Sequence, residues 1–486
     1  MNQVQTLEVI PDPVSLIESM RAVGYTVEAA VADIVDNSLS AEARTVHVQY
    51  DAAAGNPFLA ILDDGSGMAP DELTHAMRHG SSNPTDQRGA TDLGRFGLGL
   101  KTASLSQCRK LTVVSSKDGV LSARCWDLDL VRKSGRWLVV VPDQAATEAL
   151  PLIKRLKAQA SGTLVVWQDL DRLTAGAKDV QAEMTARMEP LLEHLALVFH
   201  RFAQKEGSHP SVQITVNGLS LPLRDPFLSS NQFRQELEGQ SIRHERGVVE
   251  VRPFVLPPIS RLTEEEIETA GGRDGLRGTQ GFYIYRARRL VIWGTWFRLV
   301  PKHEAYKLTR VRVDIPNSFD ELWALDIKKS AAYPPDAIRS RLKQLIPHFA
   351  NRSRAAIVYP GRKSSRNDAI VPLWDRIEPK HGSFSYQVNV DHPLVARLSE
   401  SLTADQQRHM QTILEYLASS LPYDQIYADM CGDKPRDPDD DLDRLEEIAR
   451  SLLQLTDLEL PAVLKIDPLA RFPALHGALT KRLNDV

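Results

Sequence analysis

The chain has 486 residues, too many for one core, so two or three domains are expected. Hydrophobic residues make up 42% and charged residues 25%, as in a soluble globular protein, and the apolar runs (residues 163–167 among them) are too short to span a bilayer, so no membrane partner is expected. A net charge of −4 gives no global attraction to nucleic acid; three dispersed cysteines (Cys108, Cys125, Cys431) without a CxxC pair, and an N-terminus lacking signal-peptide features, point to the cytoplasm and away from a zinc site or disulfide framework.

A first helix is expected over residues 11–24, closed by Gly24. Thr26 can cap a second, with Glu28 in its first turn and Ala29, Ala30, Ile34 and Val35 as apolar positions, running to about Ala41. Alternation predicts strands at 45–50 and 58–62, the latter ending at Asp63. A short helix at 71–78, a long polar loop at 80–94 and a helix at 100–107 follow. Strands are expected at 111–115, 120–127, 138–141 and 162–167, the last buried on both faces by its content. The fold class is α/β: an N-terminal α/β sandwich with helices on one side of a mixed sheet, closed by an amphipathic helix at 190–205 that starts at Pro190.

His209-Pro210 marks a boundary, giving a first domain of 1–207. A second α/β domain, 208–356, has strands at 212–216, 281–285, 290–292 and 310–315 and a terminal helix from Pro335. Residues 357–380 read as a linker, with the stretch 360–367 its clearest part. Residues 381–486 read as mainly helical, with helices at 394–402, 404–420 and 442–455. The acidic run 437–441 reads as a solvated loop.

Asp33 and Asn37 stand four apart and share one helix face. A nucleotide hydrolase needs a carboxylate to orient and deprotonate water and an oxygen ligand for Mg2+, and this pair offers both. Asp36 lies round the helix, away from Asn37, and is the weaker candidate base. A plain solvated helix face would have the same letters. Asp63, followed by Gly65 and Gly67, ends a strand in a glycine turn. A buried carboxylate only accepts hydrogen bonds, so it would choose the amino group of adenine over the carbonyl of guanine. A common Asp-Asp-Gly β-turn is the competing reading.

Gly94, Gly97 and Gly99 precede a helix, where backbone N–H groups suit phosphate oxygens, and Lys101 adds a cation. The run is not GxxxxGK[ST], because Leu100 stands where the second glycine must be, and its spacing is not GxGxxG. A flexible surface loop is the alternative. Thr163 heads a core strand and offers a hydroxyl beside Asp63. Ala41, Met68, Arg95, Phe96, Leu98 and Thr102 flank these motifs as further nucleotide-contacting candidates.

Taken together, these motifs resemble the GHKL (Bergerat-fold) ATPases: gyrase, the large heat-shock chaperones, histidine kinases and MutL. The runs around Asn37–Ala41, Arg78–Ser82 and Gly99–Ala103 look most like the MutL and MORC branch, especially its bacterial MORC-like members. The resemblance covers residues 25–170 strongly and 210–355, as a transducer-like domain, moderately; it is absent after about 380. It implies ATP and Mg2+ as ligands, Asp33 as base, Asn37 as the metal ligand, Asp63 and Thr163 at adenine and the glycine loop as a phosphate lid. It also implies a lysine reaching the γ-phosphate from the second domain, for which Lys329 is preferred over Lys328. Most of the family has Glu where this chain has Asp33, so slow turnover is expected.

Arg286, Arg288, Arg289, Arg298, Lys302, Lys307, Arg310 and Arg312 form a basic stretch interleaved with Trp293, Trp296 and Phe297. It reads either as a DNA-binding patch or as a strand pattern with aromatics in the core. The favoured function is a slow, Mg-dependent ATPase whose nucleotide state gates homodimerisation and engagement of DNA, in restriction or phage defence. Alternatives are a chaperone-like ATPase with a protein client and an ATP-binding regulator with little hydrolysis. A histidine kinase would carry this domain after its phosphoacceptor helix, and His194 and His200 read as surface or core histidines. No nuclease run is seen, so cleavage would fall to a separate nuclease or defence partner.

Overall fold

A computed structural model of the chain describes residues 10–22, 24–53, 55–80, 99–207, 209–320, 322–323, 333–357, 371–377, 385–424, 426, 438–456, 458–466, 469–472 and 475–484. Helix α1 (Pro13–Arg21) starts at Asp12, whose side chain accepts from the Ser15 N–H at 2.8 Å, and stops short of Gly24. Helix α2 (Val27–Ser40) has Thr26 as its N-cap and Ala41 as its C-cap. Strands β1 (Thr45–Asp51) and β2 (Phe58–Asp63), helices α3 (Pro70–Ala76) and α4 (Gly99–Leu105), and strands β3 (Lys110–Lys117) and β4 (Val120–Asp127) fall where the sequence pattern put them. Three short helices, α5 (Leu128–Ser134), α6 (Gln144–Glu148) and α7 (Ile153–Lys157), lead to β5 (Gly162–Gln168).

Helix α8 (Val180–Val198) follows, then β6 (Gln213–Val216) and β7 (Leu219–Ser220). The first sheet has the order β4-β3-β5-β2-β1-β6-β7, antiparallel except for the β1–β6 pair. Its two faces are read directly from β5. Val165 and Trp167 enter the main core with residues of α1, α2, α4 and α8, whereas Leu164 and Val166 enter a smaller core closed by Ile153 and Leu156 of α7. Helices therefore cover both faces, not one, as an unbroken apolar strand requires.

Four expectations are corrected. Pro190 lies inside α8, not at its start: Asp179 caps the helix eleven residues earlier, and Met184, Met188, Leu191 and Leu195 bury both halves, which outweighs the lost N–H. The strand expected at 138–141 is a single bridge, Cys125 to Val140. Strand β6, expected to open the second unit, pairs with β1 in the first sheet. The acidic run is helical from Pro438, the start of the helix Pro438–Leu455; a proline in the first turn and acids near the N-terminus favour that.

The second sheet holds β8 (Gln235–Glu236), β9 (Gln240–His244), β10 (Gly247–Val255), β11 (Gly281–Arg286), β12 (Arg289–Thr295) and β13 (Thr309–Ile315), in the order β12-β11-β13-β10-β8 with β9 on β10. Helices α9 (Glu264–Gly271) and α10 (Gly275–Gly278) connect β10 to β11. Alternation along β11 splits its side chains. Phe282 and Ile284 pack with Ile338, Leu342 and Ile346 of α11 (Asp336–Ile357), while Tyr283 and Tyr285 join the core of the first sheet beside Phe199 and Phe202. The two sheets thus share a packed seam at the end of α8.

Beyond residue 370, β14 (Trp374–Ile377) pairs with β15 (Ser385–Val388), so a strand lies within the expected linker. Residues 360–367 lie outside the described residues. Helices α12 (Pro393–Ser401), α13 (Ala404–Ser419), α14 (Pro438–Leu455), α15 (Leu460–Val463) and α16 (His476–Asn484) complete the chain, with Leu445, Ala449, Leu452, Val463 and Leu479 as a separate core. Among the described residues no helix is long and apolar enough to cross a membrane.

Candidate functional site

Helix α2 packs between α4 and α8 and is buried round most of its circumference. Asp33 is 9% exposed, and its Oδ2 accepts from the Tyr25 hydroxyl at 3.1 Å. A Cβ at Gly99, the first residue of α4, would lie 3.8 Å from the same oxygen. Asn37, one turn on, is exposed. Asp36 is buried and turns toward Arg289 of β12, Nε to Oδ1 at 3.3 Å. The side chain kept near the start of α4 is thus Asp33.

Asp63 sits at the end of β2, opposite Thr163 of β5 in the sheet register. Its Oδ1 accepts from the N–H of Gly65 at 3.0 Å and of Thr163 at 3.1 Å, and its Oδ2 from the Ser38 hydroxyl at 2.8 Å. Burial drives its carboxyl above the ordinary value, and those three hydrogen bonds pull against the shift. Ser115 of β3 extends the cluster. Its hydroxyl lies 2.9 Å from the Thr163 hydroxyl and accepts from the Met68 N–H at 2.8 Å. Ala41 closes the other side: its carbonyl accepts from the Ser66 N–H at 2.9 Å.

The glycine turn is required by space. A Cβ at Gly65 would lie 2.8 Å from the Ala41 carbonyl oxygen. Gly67 has φ +65°, and a Cβ there would meet the Ser116 carbonyl oxygen at 2.0 Å. The Asp-Asp-Gly letters are therefore more than a surface turn: they seat Asp63 between α2, β3 and β5.

Thr102 of α4 is buried, and its hydroxyl has no hydrogen-bond partner among the described residues. Lys101 is also buried. Its ammonium donates to the Ala76 carbonyl at 2.8 Å, tying α4 to the end of α3, and burial lowers its pKa to about 8. Gly94, Arg95, Phe96, Gly97 and Leu98, and Lys328 and Lys329, lie outside the described residues. The structure therefore brings together Asp33, Gly99 and Tyr25 on one side and Ala41, Asp63, Gly65, Met68 and Thr163 on the other. Tyr25, Ser38 and Ser115 were not singled out from sequence. Ser38 follows Asn37 directly, so its place on α2 was the available signal.

Of the two readings of the basic stretch, the structure favours the strand pattern with aromatics in the core. Arg286, Arg289, Lys307 and Arg310 are buried, and each has an internal partner. Arg286 forms a two-pronged pair with Asp320, both contacts at 2.7 Å, and Lys307 pairs with Glu304. Arg310 donates to the Lys307 carbonyl and the Thr279 hydroxyl, both at 2.8 Å. Arg288 pairs with Glu206 and Arg312 with Asp314. Arg298 and Lys302 alone are exposed, and Trp296 and Phe297 lie in the core. Charge spent on internal partners is not available to a phosphate backbone. His200 is a core residue, its Nε2 2.6 Å from the Tyr285 hydroxyl, and the His194 ring lies 5.8 Å from that of Trp293, tilted at 56°.

Comparison with known proteins matches the same part of the chain. The sequence profile of the family described as "Histidine kinase-, DNA gyrase B-, and HSP90-like ATPase" matches residues 25–163. The chain is 37% identical over 95 residues to ATPase morc-1 of Caenorhabditis elegans, covering 20% of this chain and 11% of that protein. It is 30% identical over 118 residues to MORC family CW-type zinc finger protein 1 of Mus musculus (23% and 12%). It is 29% identical over 214 residues to DNA mismatch repair protein MutL of Paramagnetospirillum magneticum (42% and 30%). The matched part thus spans less than a third of each of these relatives.

Proposed function

We propose that this chain, whose residues 25–163 form an ATPase domain of the GHKL superfamily in its MORC- and MutL-like branch, binds ATP with Mg2+ and hydrolyses it slowly. The observation that carries the reading is Asp63. A buried carboxylate fixed by Ser38, Gly65 and Thr163 keeps acceptor capacity for an amino group, which adenine has and guanine lacks at that edge. The Thr102 hydroxyl, without a partner among the described residues, and the glycine-only contacts at Gly65 and Gly67 fit a ligand pressed against α4 and the turn.

In this reading Asp33 accepts the proton of the attacking water, with Tyr25 fixing one of its oxygens. Asn37 would hold Mg2+, which supplies charge to offset that of the phosphates. Lys329 is the proposed partner of the transferring phosphate, from the second unit. Asp for the usual Glu shortens the reach of the base and supports slow turnover.

Nucleotide-gated dimerisation and engagement of DNA are proposed from the likeness to MORC and MutL proteins, and restriction or phage defence from the same resemblance; the stretch from Arg286 to Arg312 lends them no support. The test is calorimetry with MgATP and MgGTP, phosphate release, and light scattering with a non-hydrolysable ATP analogue, with and without DNA. Expected are ATP binding without GTP binding, slow release lost in D33A, and a mass doubled by the analogue. Absence of ATP binding sinks the reading; stimulation by a protein and not by DNA would move it to a chaperone-type ATPase.

A further inference from the structure

The β11–β12 hairpin carries three arginines at its tip, and each reaches a different element. Arg286 holds Asp320 with two contacts at 2.7 Å. Arg288 lies over the Phe202 ring at 4.6 Å, donates to the Arg201 carbonyl at 2.6 Å and pairs with Glu206, just beyond α8. Arg289 lies over the Phe199 ring at 5.2 Å and pairs with Asp36 of α2, where both side chains are buried. The loop between the strands is two residues, Ala287 and Arg288, since Arg286 faces Arg289 in the register. Both loop residues have positive φ, 46° and 71°. Such a turn is the natural home of Asn-Gly, so Ala-Arg there is strained and persists because its surroundings over-determine it. The anchors of Arg286, Arg288 and Arg289 are those surroundings.

Asp36 stands between Asp33 and Asn37 in the sequence of α2. A buried ion pair is a poor source of stability compared with apolar packing, and its best-attested use is to fix register. Here it joins the helix of the candidate site to the second sheet. We propose that this hairpin tip transmits the state of the nucleotide site on α2 to the second sheet, with Arg289 as a positioning residue acting through Asp36. The proposal rests on the nucleotide reading above.

The test uses the whole chain and the double variant R289M/D36L, which replaces the pair by apolar groups of similar size and so retains the packing. Binding of a non-hydrolysable ATP analogue is measured by calorimetry, and amide hydrogen exchange is followed in β11, β12 and β13 with and without it. In the wild type the analogue is expected to change exchange in these strands at least threefold. In the double variant affinity should stay within about threefold, while the change in the second sheet disappears and kcat falls with KM kept. An unchanged exchange response in a variant that binds normally overturns the proposal; failure of the wild type to bind the analogue overturns the nucleotide reading and the proposal with it. Where R289M/D36L does not fold, R289K and D36N are read the same way.

Discussion

The Tyr25 hydroxyl donates to Asp33 Oδ2 at 3.1 Å, so a residue ahead of α2 fixes the carboxylate on its second turn. The Gln107 side chain in turn holds the Tyr25 carbonyl at 3.0 Å, so the donor itself is anchored. One oxygen of Asp33 is thereby committed and the carboxylate cannot rotate freely, which matters more for Asp than for the longer Glu. Removing the hydroxyl in Y25F should lower kcat up to about tenfold with KM unchanged, the signature of a lost orienting contact. D33N should lower kcat by about 10²- to 10⁴-fold and leave ATP binding intact. Steady-state kinetics at saturating Mg2+ decide both; a rise in KM alone in Y25F would mean that Tyr25 shapes binding and not the base.

Asp63 gives a second prediction, with a sign that can be worked out. Burial raises its carboxyl in the folded state above the unfolded value, so the folded chain holds this proton to higher pH than the unfolded one does. Its contribution to stability is therefore fully present below the unfolded pKa and is lost as pH rises through the folded value. D63N keeps a carbonyl for the Gly65 and Thr163 N–H groups and removes the buried charge. It should fold with equal or higher thermal stability near neutral pH, and show less loss of stability than wild type as pH rises from the acid side. ATP affinity should fall at least about 100-fold, because an amide cannot present two acceptor oxygens at that position. Melting curves across pH and calorimetry measure the two effects separately.

What was legible in the sequence is what is local. Asp33 and Asn37 lie within one helix capped by Thr26, and Asp63, Gly65 and Gly67 within one turn, so spacing grouped them and the resemblance supplied their roles. Ser38 and Ser115 were missed because they meet Asp63 and Thr163 only through helix packing and strand register. The two readings of the basic stretch stayed undecided for the same reason. Asp320, Glu206 and Asp36 neutralise Arg286, Arg288 and Arg289 from outside the stretch, so a window over the stretch shows only one half of each pair. Prolines account for two more differences. Pro253 lies inside β10, a strand absent from the sequence reading, and Pro190 looked like a start although helix continues on both sides of it.

Lys101 provides a test of its inward position. Burial lowers its pKa to about 8, so the unfolded chain binds more protons than the folded one between about 8 and the ordinary lysine value. Stability should then rise with pH through that window, opposite to the behaviour of a lysine that gains an acidic partner. K101M should flatten this rise when melting temperature is followed from pH 7.5 to 10. An unchanged slope would mean that the ammonium faces solvent and is free to meet a phosphate.

The Arg286–Asp320 pair separates the two readings of the basic stretch. Both groups are buried or nearly so, and the guanidinium meets the carboxylate with two contacts at 2.7 Å. Truncating one partner leaves the other charge desolvated and unpaired, which costs about 3–5 kcal/mol. R286A should therefore lower stability by about that amount in denaturant titrations, and D320N should destabilise in the same direction. A DNA-contacting arginine would behave otherwise: its loss would spare stability and make affinity less dependent on salt, by about one unit of the logarithmic slope per phosphate contact. Measured on the same preparations, unfolding midpoints and DNA affinity at several salt concentrations discriminate the two. We expect R286A to change the midpoint and leave the salt slope of any DNA binding unchanged, whereas R298A, at an exposed side chain, should leave the midpoint unchanged.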